Sequence, residues 1–250
     1  MKMDDKTLKD YGRAILLEYG IKQDLTKAVE MLQLKFDDKS EELLNRIRKS
    51  MSSDKSGYNI KNILDESLKR CLITLFHDGS DNGKRFRKAF MQSERGFDLI
   101  SMRNDFENDI LFQENKDVVS WFSENVFPVE TEFSEDWLNL SFEKENYAAI
   151  ILTDILSELA ANIFKYGDKT KSCHFIFESS EKTFSLTAEN CIDPIMSELH
   201  GTQKGLFSME KTIDMLNHAV GFREKSMNFS KENNLFCVTV SLNKTIFCQE

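Results

Sequence analysis

Proline is nearly missing from this chain, at 2 in 250 residues, and the proline-rich texture of an extended polymer is missing with it. Charged residues make up 30% and hydrophobic ones 40%, a mixture able to bury a core, so the chain is expected to fold throughout. An excess of positive charge is also lacking: 33 Lys plus Arg stand against 42 Asp plus Glu, a net charge of -9. No overall positive field exists to hold a polyanion, and nucleic acid is not expected as a partner. Long apolar runs are absent too. The stretch 147–152 is typical, far short of the roughly 18 to 20 residues that cross a bilayer, so no membrane insertion is expected. The opening Met-Lys-Met-Asp-Asp-Lys has no secretory pattern, and a cytoplasmic location is expected. Cysteines are few and scattered: Cys71, Cys173, Cys191, Cys237 and Cys248 are odd in number and never form a close pair with histidines. That spacing excludes a disulfide framework and a zinc site.

What is present divides the chain in two. Over residues 8–52, 59–92 and 96–124 apolar residues recur three or four apart, as in Leu43, Leu44 and Ile47 or in Leu99, Met102 and Phe106, which predicts amphipathic helices. Asp24 and Asp38 suit N-caps, Asp38 with Glu41 having the spacing of a capping box. Helices of this length associate as a bundle or a dimer. Beyond Phe127-Pro128 the texture changes. Residues 138–142 alternate like a strand, Asn146 opens an apolar helix reaching Tyr166, and strand-like segments at 173–178 and 183–189 flank a turn. A helix over 206–217 and a strand pair at 223–229 and 235–242 complete the order. The expected fold class is α+β: an N-terminal helical hairpin or bundle of dimerisation type over residues 1–125, then a C-terminal α/β sandwich over 130–250.

One line of side chains on the apolar helix carries chemistry. Glu158 and Asn162 are four apart, and Lys165 and Tyr166 extend the same stripe, so their polar groups emerge along one side. A carboxylate, an amide and a cation arranged so can serve a magnesium nucleotide: the amide oxygen ligates the hard cation, the ammonium meets phosphate, and the carboxylate orients water or accepts a proton. The same stripe also suits an ordinary amphipathic helix whose polar side faces water.

The run Glu158, Asn162, Lys165, Tyr166 resembles the N-box of the histidine kinase, gyrase, Hsp90 and MutL ATPase superfamily, in which histidine kinases place Glu, Asn, Lys and then His or Tyr at these intervals. The resemblance implies a sandwich of the histidine-kinase ATPase type that binds ATP and Mg2+. By position, Asn162 ligates the metal, Glu158 is the base or water-orienting carboxylate, and Lys165 and Tyr166 contact phosphate. The segment Gly201-Thr-Gln-Lys204-Gly205-Leu resembles the family's second glycine-rich box, whose backbone amides at a helix start receive phosphate; Gly201, Lys204 and Gly205 are the residues it implies. The first glycine-rich box, which supplies an aspartate to adenine, is replaced here by Thr187-Ala-Glu-Asn190-Cys-Ile-Asp193-Pro, without glycine. Asn190 is the residue placed to face the base.

A histidine kinase also needs an exposed imidazole nucleophile on a dimeric helical hairpin. Within the helical half, His77 is the sole histidine. His77-Asp78 with Asn82 resembles the acceptor segment of the nitrate-sensor and desaturase-regulator subfamily, where His and Asp are followed by Gln. There the aspartate assists proton removal and the amide orients water; Asn82 is the shorter equivalent. Asp81-Asn82-Gly83 reads equally well as a turn, with His77 closing a helix. The functional expectation is a two-component sensor histidine kinase: a homodimer that passes the ATP γ-phosphoryl to His77 and on to a response regulator receiver domain. Two alternatives stay open, a degenerate phosphotransfer or adaptor protein that does not hydrolyse ATP, and a serine kinase of the anti-sigma-factor type.

Overall fold

The structure is a computed structural model and describes residues 47–49, 51, 57–91, 98–112, 117–143, 147–193 and 204–247. The caps expected at Asp24 and Asp38, and the residues Gly201 and Cys248, lie outside them. Strand β1 (Tyr58–Asn59) leads into α1 (Ile60–His77), whose start is fixed by a reciprocal cap: Asn59 accepts from the backbone of Lys61 and Asn62, and the Asn62 side chain accepts from Asn59. Helix α2 (Asp81–Met91) follows, then α3 (Leu99–Phe106) running into a π-helical turn (Glu107–Leu111), and α4 (Val118–Asn125). Strand β2 (Val129–Phe133), the short α5 (Glu135–Leu138) and β3 (Ser141–Phe142) precede the long α6 (Tyr147–Tyr166). Then follow β4 (Cys173–Ser179), β5 (Thr183–Cys191), α7 (Lys204–Ala219), β6 (Met227–Glu232), β7 (Leu235–Asn243) and a 3-10 turn (Lys244–Ile246).

Five strands form a mixed sheet in the order β2-β4-β5-β7-β6, and β1 pairs with β3 in a separate ladder. β2 runs parallel to β4 and the other neighbours are antiparallel. The register sets core rows across the sheet: Phe175, Ala188 and Val238 align, as do Phe177, Leu186 and Val240, and all six are buried. Period-2 alternation puts them on one face, against which α6 and α7 lie. The sheet's outer strands carry charge, Glu130 and Glu132 on β2 and Lys231 and Glu232 on β6, all exposed.

Several boundaries differ from the sequence reading. The segment 138–142 is mostly not a strand, because Glu135–Leu138 closes a helical turn that buries Trp137, whose Nε1 donates to the carbonyls of Glu178 and Ser185 at 2.9 and 3.1 Å. Residues 129–133 form an edge strand the sequence reading did not include. The β6–β7 turn is two residues long, Asn233 and Asn234 at φ of 50° and 65°, because two left-handed asparagines make the tight hairpin that matches strand twist; β6 therefore starts at Met227 rather than at 223. The expected helix over 96–124 is two pieces, Leu99–Leu111 with a π-helical last turn and Val118–Asn125 with its own cap at Asp117.

The helical segment and the sandwich share one core. Buried residues from Ile60, Leu68 and Phe90 through Trp121 and Phe127 to Leu156, Phe164 and Val240 form a single apolar cluster. Phe164 is its hub, with ring centroids 4.7 to 6.1 Å from Phe86, Phe90, Phe122 and Phe127. Val126 and Phe127, where the two parts were expected to separate, are buried within it. Helices α1 and α6 run parallel and touch through small groups: Ser67 Oγ reaches the Thr153 carbonyl at 3.2 Å, and Cys71 Sγ the Ser157 carbonyl at 3.6 Å. By length and composition α6 could cross a membrane, but 78% of its apolar window is buried inside the protein.

Candidate functional site

Helix α6 is covered on nearly every side, and its polar residues are therefore held rather than displayed. Glu158 is 5% exposed. Its Oε1 accepts from the Asn162 side-chain amide at 3.3 Å. Gly205, the second residue of α7, lies directly against the carboxylate: a Cβ built there would overlap Glu158 Oε1 and Cδ. The α7 start needs glycine for this close approach, and the positive dipole end of its first turn favours an anion at that place. Glu158, Asn162 and Gly205 are thus brought together, from an i, i+4 pair and from a helix start distant in sequence. Lys204 opens α7, and its side chain is outside what the structure describes.

The rest of the stripe turns elsewhere. Lys165 Nζ sits 5.7 Å above the Phe86 ring, so the ammonium leans on α2. Tyr166 ends α6 half-buried, its carbonyl accepting from Asp193 N at 2.9 Å. Asn190 is buried on β5, and its amide nitrogen donates to the Cys191 carbonyl at 3.0 Å. The amide is committed to its own strand end beside Gly167.

Two groups near this helix gave no signal in the sequence. Cys71 is buried between α1 and α6; burial pushes its thiol up to about 12, with the Lys165 charge opposing and the Glu158 charge adding to the shift. Lys169 is 2% exposed, with Nζ 4.8 Å above the Phe90 ring and 3.5 Å from the Gly167 carbonyl. Nothing in local spacing foretells either, because Cys71 is covered by α6 and Lys169 by α2, elements far away in the chain.

The donor set fits a hard divalent cation in one specific manner. Among the described residues no group of three or more His, Cys, Asp or Glu is arranged to hold a metal. Mg2+ does not require one, since it keeps several waters and binds through one or two protein oxygens plus phosphate oxygens. The Asn162 amide and Glu158 carboxylate oxygens match that pattern.

His77 is the last residue of α1, exposed, with Nε2 3.5 Å from Glu107 Oε1. The helix does not continue to 92 as a hairpin arm would. Asp78 is its C-cap and accepts from Ser80 N at 2.8 Å, and Asn82 and Gly83 lie inside α2. The break therefore falls at 78–80 and not at the Asp81-Asn82-Gly83 turn. Gly83 permits this packing, since a Cβ there would overlap the Asp78 carbonyl.

No protein-family model matches the chain, and no curated protein does. Among solved structures it is similar to an Acinetobacter baumannii histidine kinase, AdeS, at 12% identity and a TM-score of 0.38, covering 95% of this chain and 93% of that one. A histidine kinase from Burkholderia phymatum is 6% identical at a TM-score of 0.40, with 96% and 94% covered. The histidine kinase domain of a blue-light activated kinase from Erythrobacter litoralis is 9% identical at 0.33, with 74% and 98% covered. All three are histidine kinases, and a likeness this weak says nothing about ligands or chemistry.

Proposed function

We propose that this protein is a nucleotide-dependent signalling protein of the histidine-kinase type, with Mg-ATP seated between α6 and the start of α7. The observation that carries the reading is the Glu158 carboxylate against Gly205, with Asn162 hydrogen-bonded beside it. Mg2+ would supply charge neutralisation for the phosphates. Asn162 would present its amide oxygen to the cation, Glu158 would hold water or accept a proton, and the α7 backbone would take phosphate oxygens. His77 is the phosphoryl acceptor of this reading, and a receiver-domain aspartate the next.

Helices α1 and α6 share one core, and in this reading the His77 of one protomer meets the nucleotide of the other. Transfer is therefore expected within a homodimer, from one protomer's nucleotide to the other's His77. The test is phosphorylation from γ-labelled ATP. Acid-labile label should appear on the wild type, vanish in His77→Ala and in Asn162→Ala, and return when those two variants are mixed. Acid-stable label on a partner's serine would replace this reading with that of a serine kinase.

A second reading has its own observation. Asn190, the residue expected to face adenine, turns one amide N–H to the Cys191 carbonyl instead, which favours a scaffold that no longer binds nucleotide. Mg-ATP at a hundred times its dissociation constant should stabilise the protein by about 2.7 kcal/mol. Absence of any shift selects the scaffold.

A further inference from the structure

Away from α6, a cavity of about 260 Å³ opens between the end of α1, α2 and α3. Its apolar wall is Leu75, Phe76, Leu99 and Ile100, and Ile100 is 75% exposed. Two arginines line the same space, Arg87 and Arg103. Arg87 Nη1 donates to the Leu75 carbonyl at 3.1 Å, which anchors the group at the wall while most of its five donors remain for other partners. Arg103 Nε pairs with Glu107 Oε1 at 2.7 Å.

Glu107 is the one acid of the lining and is shared, its Oε1 lying 3.5 Å from His77 Nε2 as well. Two arginines against one divided carboxylate leave a positive pocket on a protein of net charge -9. The backbone is also irregular here. The π-helical turn begins at Glu107, with Phe112 N donating to the Glu107 carbonyl at 3.1 Å, and single π turns within helices collect at functional sites.

We propose that this cavity binds a small organic monocarboxylate with an apolar body, its carboxylate forked between Arg103 and Arg87 and its body on Leu99, Ile100 and Phe76. A guanidinium matches a carboxylate in a planar, two-point fashion. A dianionic phosphate without an apolar part would leave that wall bare and meet Glu107 directly. The volume is below that of most drug-sized pockets, so the ligand is small. In the bound state the ligand's carboxylate takes the place of Glu107 on Arg103.

The test uses hexanoate on the full chain, followed by calorimetric titration, with hexanol and inorganic phosphate as controls. Saturable hexanoate binding is expected at about 1 mM, with both controls at least about tenfold weaker. Arg103→Gln, a change on a half-exposed side chain, should weaken binding about tenfold. Glu107→Gln removes the competing carboxylate and should tighten it. Arg87→Gln also strips the α1 end of a partner, so it is compared only after its folding is verified by circular dichroism. Equal binding of hexanol, preferred binding of phosphate, or an affinity indifferent to both Arg103→Gln and Glu107→Gln would each overturn the proposal. None of these outcomes depends on whether ATP binds at α6.

Discussion

Glu158 occupies the space that a side chain at Gly205 would need. Gly205→Ala would add roughly 1 kcal/mol of helix propensity, but the overlap with a carboxylate held by Asn162 costs about 1–3 kcal/mol, so the variant should be less stable. The urea midpoint checks this. Gly205→Ala combined with Glu158→Ala should be more stable than Gly205→Ala alone, because the clash is removed; strictly additive effects would mean the two positions do not touch.

Asp65 supplies a pH signature. Its Oδ1 accepts from Val119 N at 3.1 Å, and Asp117 accepts from the same N–H at 2.9 Å. Burial, and then the Asp117 charge, push the Asp65 carboxyl up from 3.8 to about 6. The folded state therefore holds a proton that the unfolded chain releases near pH 4. The stabilisation it gives is complete below pH 4 and is lost as pH rises through about 6. Asp65→Asn, neutral throughout, should lack that decline and exceed the wild type in urea midpoint at pH 8. Parallel pH profiles for the two proteins would contradict the shared-proton arrangement.

Two thiols should be silent. Burial pushes Cys71 and Cys173 up to about 12, and both side chains are shielded. A disulfide reagent at pH 8 should leave them unmodified in the folded protein and react with them only in denaturant. Mass mapping of the modified cysteines reads this directly, and rapid native labelling of either would refute the packing of α1 on α6 or of β4 in the sheet.

The shared core predicts how the chain comes apart. A fragment of residues 126–250 would expose Leu152, Leu156 and Phe164, which α1, α2 and α4 cover, and should show no cooperative thermal transition. Phe164→Ala in the full chain should cost about 3–5 kcal/mol and lower a single transition without splitting it. Two separate transitions in calorimetry would restore the picture of independent halves.

Much of the sandwich was legible because its patterns are local. Leu186, Val238 and Val240 alternate with polar residues as a one-sided sheet requires, and the apolar run of α6 and the Asn59 end of α1 announce themselves by spacing. The π turn that ends α3 was hidden, since it shifts helical phase by one residue without any glycine or proline to mark it. β2 escaped notice because Val-Glu-Thr-Glu-Phe is short and acidic, as an edge strand tolerates. Of the candidate site, the Glu158–Asn162 pair could be read from an i, i+4 interval. The Gly205 contact, the turn of Lys165 toward Phe86 and the commitment of Asn190 to Cys191 depend on how distant elements meet, which periodicity does not encode.

The charged, short outer strands carry a consequence for assembly. A second copy adding to β2 would bring Glu130 and Glu132 against its own acids, while β6 stops after six residues at an asparagine turn. Charge at both borders of the sheet therefore disfavours the edge-to-edge addition of a further strand.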